Sequence, residues 1–593
     1  MTEISNSKPN RFEHLKFGFL NLFRISDLEF RIFSSILLSS FFLLSSPLFA
    51  AESKHAMVAT ADPHSTRAAL EVLQKGGNAV DAAIAAQWVL NVVEPQGSGI
   101  GGGGFFLYYE AATKHVYSFD GREAAPGDAY PEMFLDPKTG EPYPFYPSRI
   151  TGGLSVGVPG VLKMLQTVHD RFGSEAISFG DLFLPAIKLA RNGFPVSSRL
   201  AKLIDQEKDR LKLFPASAKI FLDTKGDALA AGAILFQPDL AGTFEWIRKD
   251  GIDIFYAGDI ARDIVRAVRT APFHPGLMSF PDLENYKVNE RAPVRGSYRG
   301  YDLYSMGPPS SGGLAILQAL QILELYDLSS LGRSVKGLHL LAEAQTIAFE
   351  DRSRYLGDPA YSQIPLEKLL SKNYARERSQ EINWEFARNS LRGKLHNPNL
   401  EGIHTTHISI VDEQGNMVAF TTTIESVFGS GIVVPGRGFV LNNELTDFDL
   451  IKSAIRNPKS AIHPNAPEGD KRPRSSMTPT FVFRNGQPFM IVGSPGGSTI
   501  IGTVLNIIVN VIDFEMKLAD AIQAPKLIHR GEFIEMESGL YQQRKILNGL
   551  GKLHHTVMLK ESFGNAQVIL FDLARRVITG ASDPRGEGEA KGY

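Results

Sequence analysis

The feature that most constrains the fold is a pair of alternating segments joined by a short turn cluster. Residues 405–411 alternate between polar and apolar side chains, as a half-buried strand does, and residues 417–423 form a second such segment. The residues between them include aspartate, glycine and asparagine, which favour a turn. A hairpin symmetric about Gln414 pairs Thr405 with Thr423, and directly opposed Cβ atoms lie about 4.5–5.5 Å apart. The sequence therefore predicts two hydroxyls side by side at the open end of a hairpin.

Thr405 gains a special chemistry if it becomes the first residue of a chain. An N-terminal threonine can use its own α-amine as the base for its hydroxyl. The pKa of an unperturbed α-amine is about 7.7–8.0, so a useful fraction is neutral near neutral pH. Cleavage between His404 and Thr405 would therefore make a two-subunit acyl-transfer enzyme. Threonines are also common in strands because of their β propensity, so the hairpin alone leaves both interpretations open.

Composition excludes several classes of protein. The chain has 593 residues, of which 43% are hydrophobic and 21% charged, so it is neither mainly disordered nor fibrous. The formal net charge of −2 gives no electrostatic reason to expect a nucleic acid or an anionic membrane as partner. There is no cysteine, which excludes disulfides, zinc–thiolate sites, Fe–S clusters and thiol nucleophiles. We expect no cofactor.

The first fifty residues have the pattern of a secretory signal. Residues 32–44 are apolar and serine-rich, with Lys16, Arg24 and Arg31 before them and small Ala50 after them at a suitable cleavage point. The apolar stretch is too short and interrupted to span a membrane comfortably. A leader of about thirty residues precedes it, which is longer than usual. We expect cleavage near Ala50, no stable membrane span afterwards, and a periplasmic or secreted location.

The chain after this segment opens with alternating helix and strand signals. Helical periodicity covers residues 65–75 and stops at two glycines, and Asn78 is expected to cap a second, apolar helix over residues 79–93. A glycine-rich run at 99–104 leads into a predicted strand and is interpreted as a site of close backbone packing. Residues 175–350 are expected to be mainly helical, and strands to dominate after Thr405.

Residues 448–474 lack periodicity and contain four prolines. They are interpreted as a long loop, and long loops in compact domains often act as lids over a site. The histidines show no metal-ligand spacing, so His404, His407 and the His554-His555 pair are interpreted as structural. No His/Glu cluster in the sequence indicates a metalloenzyme.

Two glycines and two acids carry candidate chemistry, each with a plain structural alternative. Gly496 and Gly497 follow an apolar strand, and their N–H groups either converge on an oxyanion or belong to a tight turn. A nucleotide-binding loop is disfavoured because the run lacks the Gly-Lys-Ser/Thr ending. Glu444 and Asp447, three residues apart, either hold a substrate ammonium or face solvent.

Three further polar residues are candidates for binding a carboxylate. Arg122 either pairs with a carboxylate through two hydrogen bonds or lies on the surface as an ordinary arginine. Ser475 and Ser476 precede a Met-Thr-Pro sequence and either donate two hydroxyl hydrogen bonds or simply end a loop. No one of these groups identifies a function by itself.

Taken together, these pieces resemble the γ-glutamyltranspeptidase family, within the N-terminal nucleophile hydrolases. The similarity runs from about residue 55 to residue 593, and its motifs occur in the family's order. The similar stretches are 76–83, 98–105, 157–160, 308–313, 351–359, 474–479 and 582–585. The resemblance implies an α+β fold, a four-layer αββα sandwich. It also implies self-cleavage before Thr405 into a large subunit (51–404, after a signal at 1–50) and a small subunit (405–593), intertwined in one catalytic domain.

The resemblance implies catalytic roles for the hairpin and the glycine loop. Thr405 would supply both the nucleophile and its amine base, and Thr423 would support the hydroxyl. The N–H groups of Gly496 and Gly497 would bind the oxyanion. Glu425 stands where the family has Asn or Glu, and here it adds negative charge near the substrate's ammonium.

The resemblance also implies how a γ-glutamyl group would be recognised. Its α-carboxylate would contact Arg122, Ser475 and Ser476, and its α-ammonium would contact Glu444 and Asp447. The implied substrates are glutathione and other γ-glutamyl compounds, with water or an amino acid or dipeptide as acceptor. One alternative is a related acylase that acts on glutaryl-β-lactams or poly-γ-glutamate. Another is a secreted binding protein of the same fold without catalysis.

Overall fold

The computed structural model describes residues 50–388, 405–450 and 463–593. The expected signal segment, His404 and the middle of the predicted lid therefore lie outside the described residues. The strands are β1 (Ala51–Ser53), β2 (Met57–Thr60), β3 (Gly103–Glu110), β4 (His115–Gly121), β5 (Phe194–Pro195), β6 (Ile234–Leu235), β7 (Asn289–Arg291), β8 (Val294–Tyr298), β9 (Tyr301–Ser305), β10 (Thr405–Val411), β11 (Met417–Thr423), β12 (Thr480–Arg484), β13 (Gln487–Gly493), β14 (Leu527–His529), β15 (Ile534–Glu537), β16 (Val557–Lys560), β17 (Gln567–Asp572), β18 (Val577–Ser582) and β19 (Glu589–Gly592).

α-Helices take up more of the described chain than strands do. The α-helices are α1 (Pro63–Gln74), α2 (Ala79–Val93), α3 (Val161–Phe172), α4 (Leu184–Asn192), α5 (Ser198–Leu211), α6 (Pro215–Phe221), α7 (Pro238–Asp250), α8 (Asp253–Tyr256), α9 (Asp259–Arg269), α10 (Phe280–Glu284), α11 (Gly312–Leu323), α12 (Leu328–Leu331), α13 (Val335–Tyr355), α14 (Leu366–Leu369), α15 (Lys372–Ser379), α16 (Thr499–Ile512), α17 (Leu518–Gln523), α18 (Ser538–Tyr541) and α19 (Arg544–Lys552). In the described ranges, none of these helices has the length and apolar character needed to span a bilayer.

Two seven-stranded antiparallel sheets form the centre of the molecule. The first sheet has the order β19-β2-β10-β11-β3-β4-β7, and the second has the order β1-β18-β17-β13-β12-β9-β8. Each sheet contains strands from before and after Thr405. The chain segments on the two sides of that residue therefore share both sheets.

Alternating side chains of the first sheet divide the core into two parts. Val418 and Phe420 of β11 belong to a cluster that includes the buried faces of α1 and α2. Their neighbours Met417 and Ala419 belong to a second cluster, which also contains the second sheet and the helices α11, α13 and α16. This period-two division is what a sheet covered on both faces requires. The layers are helix, sheet, sheet and helix, which confirms the expected αββα sandwich.

The predicted hairpin register is confirmed. In β10 and β11, Val411 pairs with Met417 and Thr405 pairs with Thr423, without a bulge. The Asn78 cap is confirmed too, since its side chain accepts from the backbone N–H groups of Val80 and Asp81. The turn and the cap are local interactions, which explains why the sequence pattern predicts them well.

Residues 175–350 are mainly helical, as expected, but short strands also lie in this segment. β8 and β9 lie within it and form the edge of the second sheet, where β9 pairs with β12. Each of these strands has only five residues and includes charged side chains such as Arg295 and Asp302. Among the described strands, β8 pairs only with its neighbour β9, whereas β9 also pairs with the distant strand β12, and a local pattern does not record that second pairing.

Candidate active site

Thr405 begins β10 at the edge of a small cavity. Its hydroxyl donates to the Thr423 hydroxyl at 3.3 Å, and its side chain lies almost completely inside, with 9% of the residue exposed. The Thr423 hydroxyl also accepts the backbone N–H of Glu425 at 2.8 Å. Strand pairing therefore places the two hydroxyls together, and the next turn of the chain orients the second of them.

The glycine-rich run before β3 packs against the end of this hairpin, as the sequence predicts. A Cβ atom on Gly102 would lie 2.1 Å from the Thr423 carbonyl oxygen, which is far too close for any side chain. A Cβ atom on Gly101 would meet the Val440 carbonyl at the same distance. Glycine is therefore required here, because two backbones approach each other directly behind Thr423.

Gly496 and Gly497 connect β13 to α16. Their φ angles are +133° and +54°, a region that residues with a Cβ rarely adopt. In the part of the chain that the structure describes, neither amide N–H donates to a protein group. Both N–H groups lie at the positive end of a fourteen-residue helix, where donors favour an anion. The loop has the properties that an oxyanion site needs.

Arg122 is buried and contacts both of the acids proposed to bind an ammonium. Only 1% of it is exposed. Its guanidinium donates to Glu444 and, at 2.6 Å, to Asp447. Its Nε donates to the Pro473 carbonyl at 3.2 Å. The surface interpretations of Arg122 and of the acid pair are therefore wrong, because the guanidinium is buried and contacts both carboxyl groups.

The cluster contains more acid than one guanidinium can compensate. Glu123 is fully buried, with its Oε2 atom 4.0 Å from the Arg122 guanidinium. Burial raises the pKa of the Glu123 carboxyl to about 7. Burial also raises the pKa of Glu444 well above its usual range, despite the nearby arginine. One carboxyl of this cluster is therefore readily protonated near neutral pH.

Ser475 and Ser476 line the same cavity and are held in part by residues from other segments. The Ser475 carbonyl accepts from the Ser311 hydroxyl at 2.6 Å, and the Ser475 hydroxyl accepts the Met477 N–H at 3.1 Å. The Ser476 hydroxyl accepts from Arg352 at 2.8 Å. Sequence reasoning gave Arg352 no role, although it lies in one of the stretches that carry the family resemblance.

Glu425 adopts a left-handed backbone conformation, with φ of +78°. Such a conformation is rare for a residue with a long side chain and is often retained at functional sites. Its carboxylate accepts a hydrogen bond from the Ser426 hydroxyl. Asn443 holds this turn by accepting the Ser426 N–H at 3.0 Å. The turn thereby places a third carboxyl group in the lining of the cavity that contains Thr405, besides those of Glu444 and Asp447.

One cavity of about 20 Å³ brings these residues together. Nine of the ten predicted site residues line it, and the tenth, Gly496, is the neighbour of the lining residue Gly497. The lining residues are Arg122, Thr405, Thr423, Glu425, Glu444, Asp447, Ser475, Ser476, Met477, Gly497 and Ile500. Met477 and Ile500 were not predicted, since nothing in their local sequence separates them from core residues. The volume is far below that of a typical ligand pocket.

His407 is structural, as predicted. It lies within β10, and its ring contacts the hydroxyls of Thr421 at 2.7 Å and Ser409 at 3.1 Å. Burial lowers its pKa to about 3, so it is neutral at physiological pH. It takes no part in the cavity lining.

Comparison with known proteins finds similarity over nearly the whole chain. A family model described as Gamma-glutamyltranspeptidase matches residues 65–593. The glutathione hydrolase proenzyme of Bacillus subtilis (strain 168) is 41% identical over 558 residues, covering 91% of this chain and 92% of that protein. The corresponding proenzyme of Escherichia coli (strain K12) is 38% identical over 541 residues, covering 90% of each. A crystal structure of the cephalosporin acylase from Bacillus halodurans matches with a TM-score of 0.82 at 28% identity, covering 93% of this chain and 98% of that one.

Proposed function

Because the chain belongs to the γ-glutamyltranspeptidase family, we propose that it is a γ-glutamyltransferase and glutathione hydrolase whose nucleophile is Thr405. The observation that carries the proposal is the position of this threonine. It is the first residue of β10, its hydroxyl contacts Thr423, and both line one cavity with Arg122 and Gly497. Cleavage after His404 would convert its backbone nitrogen into the amine that the chemistry needs.

The acylation step uses groups that surround Thr405. The free α-amine accepts the proton of the Thr405 hydroxyl while its Oγ1 attacks the γ-amide carbonyl. The Thr423 hydroxyl fixes the position of the attacking oxygen, and the N–H groups of Gly496 and Gly497 stabilise the oxyanion. The proton then passes to the leaving amine, and an ester of Thr405 remains. Water completes hydrolysis, and an amino acid or dipeptide amine completes transfer.

Substrate recognition would exchange one set of ion pairs for another. The α-carboxylate of a γ-glutamyl group takes the Arg122 guanidinium, together with Ser475 and Ser476. Its α-ammonium takes the carboxylates of Glu444 and Asp447, which the arginine would release. A zwitterion supplies an anion for Arg122 and a cation for Glu444 and Asp447. A simple anion would leave these two acids without a cation. Glu425 adds further negative charge on the ammonium side.

The same hydroxyl would perform the self-cleavage that matures the protein. In the uncut chain the Thr405 hydroxyl would attack the carbonyl carbon of His404, and the C–N bond would break to leave an ester and the free Thr405 amine. Water would then hydrolyse the ester, which restores the hydroxyl and leaves His404 with a terminal carboxylate. The large subunit (51–404) and the small subunit (405–593) would remain together as a heterodimer, since both contribute strands to both sheets. We propose a periplasmic or secreted location, on the basis of the signal pattern in residues 1–50.

The experiment is an intact-mass measurement of purified protein together with a turnover assay. Two fragments that meet at 404/405, with turnover of a γ-glutamyl anilide, are the expected result. An unbroken polypeptide that still turns over this substrate would contradict the proposal. The nucleophile can be identified independently by trapping the acyl group on the fragment that begins at Thr405.

A related acylase is the second candidate, and the similarity to the Bacillus halodurans cephalosporin acylase favours it. The two functions differ in whether the substrate carries an α-ammonium. Parallel assays with γ-glutamyl and glutaryl anilides separate them, because a glutaryl group lacks that charge. The acid pair of Glu444 and Asp447 favours the γ-glutamyl substrate, and faster turnover of the glutaryl compound would favour the acylase.

A further inference from the structure

A second cluster of chemically active side chains lies outside the cavity, against α13. His339 and Glu343 are one helical turn apart on that helix, and His555 follows α19. All three side chains are buried, and one potential ligand atom from each lies within 4.8 Å of the other two. A His at position i with a Glu at position i+4 places both on one helix face.

The orientation of His339 is set by a backbone carbonyl. Its Nε2 lies 2.8 Å from the Asn383 carbonyl oxygen, so this nitrogen carries the proton and donates it. Its Nδ1 then accepts a hydrogen bond from the Nε2 of His555 at 2.7 Å, and an ion bound between the two rings would replace this proton. A histidine that donates one ring N–H to a carbonyl and presents the other nitrogen is the arrangement that metal sites use.

Glu343 completes a three-sided arrangement. Its Oε1 atom lies 3.9 Å from the His555 Nε2 and accepts the Arg388 backbone N–H at 3.2 Å. Ligand atoms around a tetrahedral zinc ion are about 3.3 Å apart, given bond lengths near 2.0–2.2 Å. The observed separations lie on either side of that value, so small side-chain rotations would bring all three atoms to one ion.

Two polar atoms of the cluster lack a partner in the part of the chain that the structure describes. They are the Glu343 Oε2 and the His555 Nδ1. A buried carboxylate oxygen without a partner is costly, and a bound cation would compensate it. We propose that His339, Glu343 and His555 form a structural site for one divalent transition-metal ion of the zinc type, with water or a further ligand in the fourth position.

The bound ion would crosslink parts of the chain that are far apart in the sequence. His339 and Glu343 precede Thr405, whereas His555 follows it. If the chain is cleaved as proposed above, the ion would join the two subunits; if it is not, the ion would still join α13 to the segment after α19. This inference departs from the sequence-based interpretation of His555 as merely structural, which considered the His554-His555 pair without its helical partners.

The test measures metal content and metal-dependent stability on tag-free protein produced with added zinc. The variants are Glu343→Gln and His555→Gln, and the matched control is His554→Asn. His554 is exposed and has a φ of +62°, which asparagine tolerates. We expect one ion per chain in the wild type and the control, and at least about tenfold weaker binding in both variants. Removal of the ion by a chelator should lower the melting temperature of the wild type and leave the variants unchanged.

A local readout keeps the test decisive if the variants fold poorly. The Trp384 ring lies 6.2 Å from the His339 ring, so ion binding should change its fluorescence. Cobalt(II) bound to the wild type in zinc's place should also give the visible absorption of a tetrahedral ion. A folded wild type that takes up neither ion, or equal metal content in the wild type and both variants, would overturn the proposal. Neither result depends on turnover, so failure here is distinguishable from failure of the proposed activity.

Discussion

The nucleophile region and the charge cluster share one cavity but are built differently. Thr405 and Thr423 lie on neighbouring strands, and their contact follows from the register of β10 and β11. Arg122 lies far along the chain from the acid pair of Glu444 and Asp447, and it meets them only through tertiary packing. The first region holds neutral hydroxyls and amides in place, whereas the second consists of charged side chains that form ion pairs with one another.

This difference indicates that the two regions have different roles, one in the chemical step and the other in substrate binding. Strand pairing holds the Thr405 hydroxyl, the nucleophile that we propose, before any ligand arrives, which is the preorganisation that acyl transfer needs. In the charge cluster, Arg122 already has two carboxylate partners. A substrate could therefore pair with these groups only by replacing those contacts. Changes in the nucleophile region should therefore affect the chemical step, and changes in the cluster should affect substrate binding and selectivity.

The largest effect is expected from Thr405→Ala. Without the hydroxyl the protein should remain one uncut chain, and turnover should fall by on the order of 10⁴-fold or more, as for other lost nucleophiles. Denaturing gels and a γ-glutamyl anilide assay measure both outcomes. Thr422→Val is the matched control, since the Thr422 hydroxyl donates instead to the Gly103 carbonyl. A Thr405→Ala protein that is still cleaved before residue 405 would contradict the assigned role.

The contrast between the two regions also explains what the sequence could predict. The register of β10 and β11 was predictable because only a short turn separates the strands, and the Asn78 cap because it involves consecutive residues. The pairing of Arg122 with Glu444 and the role of Arg352 at Ser476 were not, since each joins segments that only the folded sheets bring together. The strands β8 and β9 were missed for the same reason.

Substrate selectivity should change in Asp447→Asn. The variant keeps the shape of the side chain but removes half of the negative charge that would face a substrate ammonium. We expect kcat/KM for a γ-glutamyl anilide to fall on the order of 100-fold, the usual cost of breaking a buried charge pair. Turnover of a glutaryl anilide should change little, since that group has no ammonium. Equal losses for both substrates would show that Asp447 does not recognise the ammonium.

Asp449→Asn is the control for this variant. Asp449 pairs with Arg474 at 3.0 Å and does not line the cavity. Its replacement changes the same charge at a nearby position. Selectivity between the two anilides should therefore stay at the wild-type ratio.

A smaller effect on the chemical step is expected from Thr423→Val. The substitution removes the acceptor of both the Thr405 hydroxyl and the Glu425 N–H, and it leaves the charge cluster intact. A lost buried hydrogen bond costs about 1–2 kcal/mol, so the acylation rate should fall about tenfold. Single-turnover kinetics measure this rate separately from binding. Thr423→Ser, which retains the hydroxyl, should react at nearly the wild-type rate, and an equal loss in both variants would indicate a packing effect.

The smallest effect is expected from Glu123→Gln, and it should appear in the pH dependence of stability. Burial raises the pKa of Glu123 from 4.5 to about 7 in the folded protein. Between these values the folded state holds a proton that the unfolded state has lost, so this residue makes stability fall as the pH rises through that interval. Glutamine cannot ionise, so the variant's melting temperature relative to the wild type should increase from pH 4.5 to pH 7 and level off above it. A melting-temperature difference that is constant over this range would mean that Glu123 keeps an ordinary pKa. The excess of negative charge beside Arg122 would then be relieved by protonation of Glu444 alone.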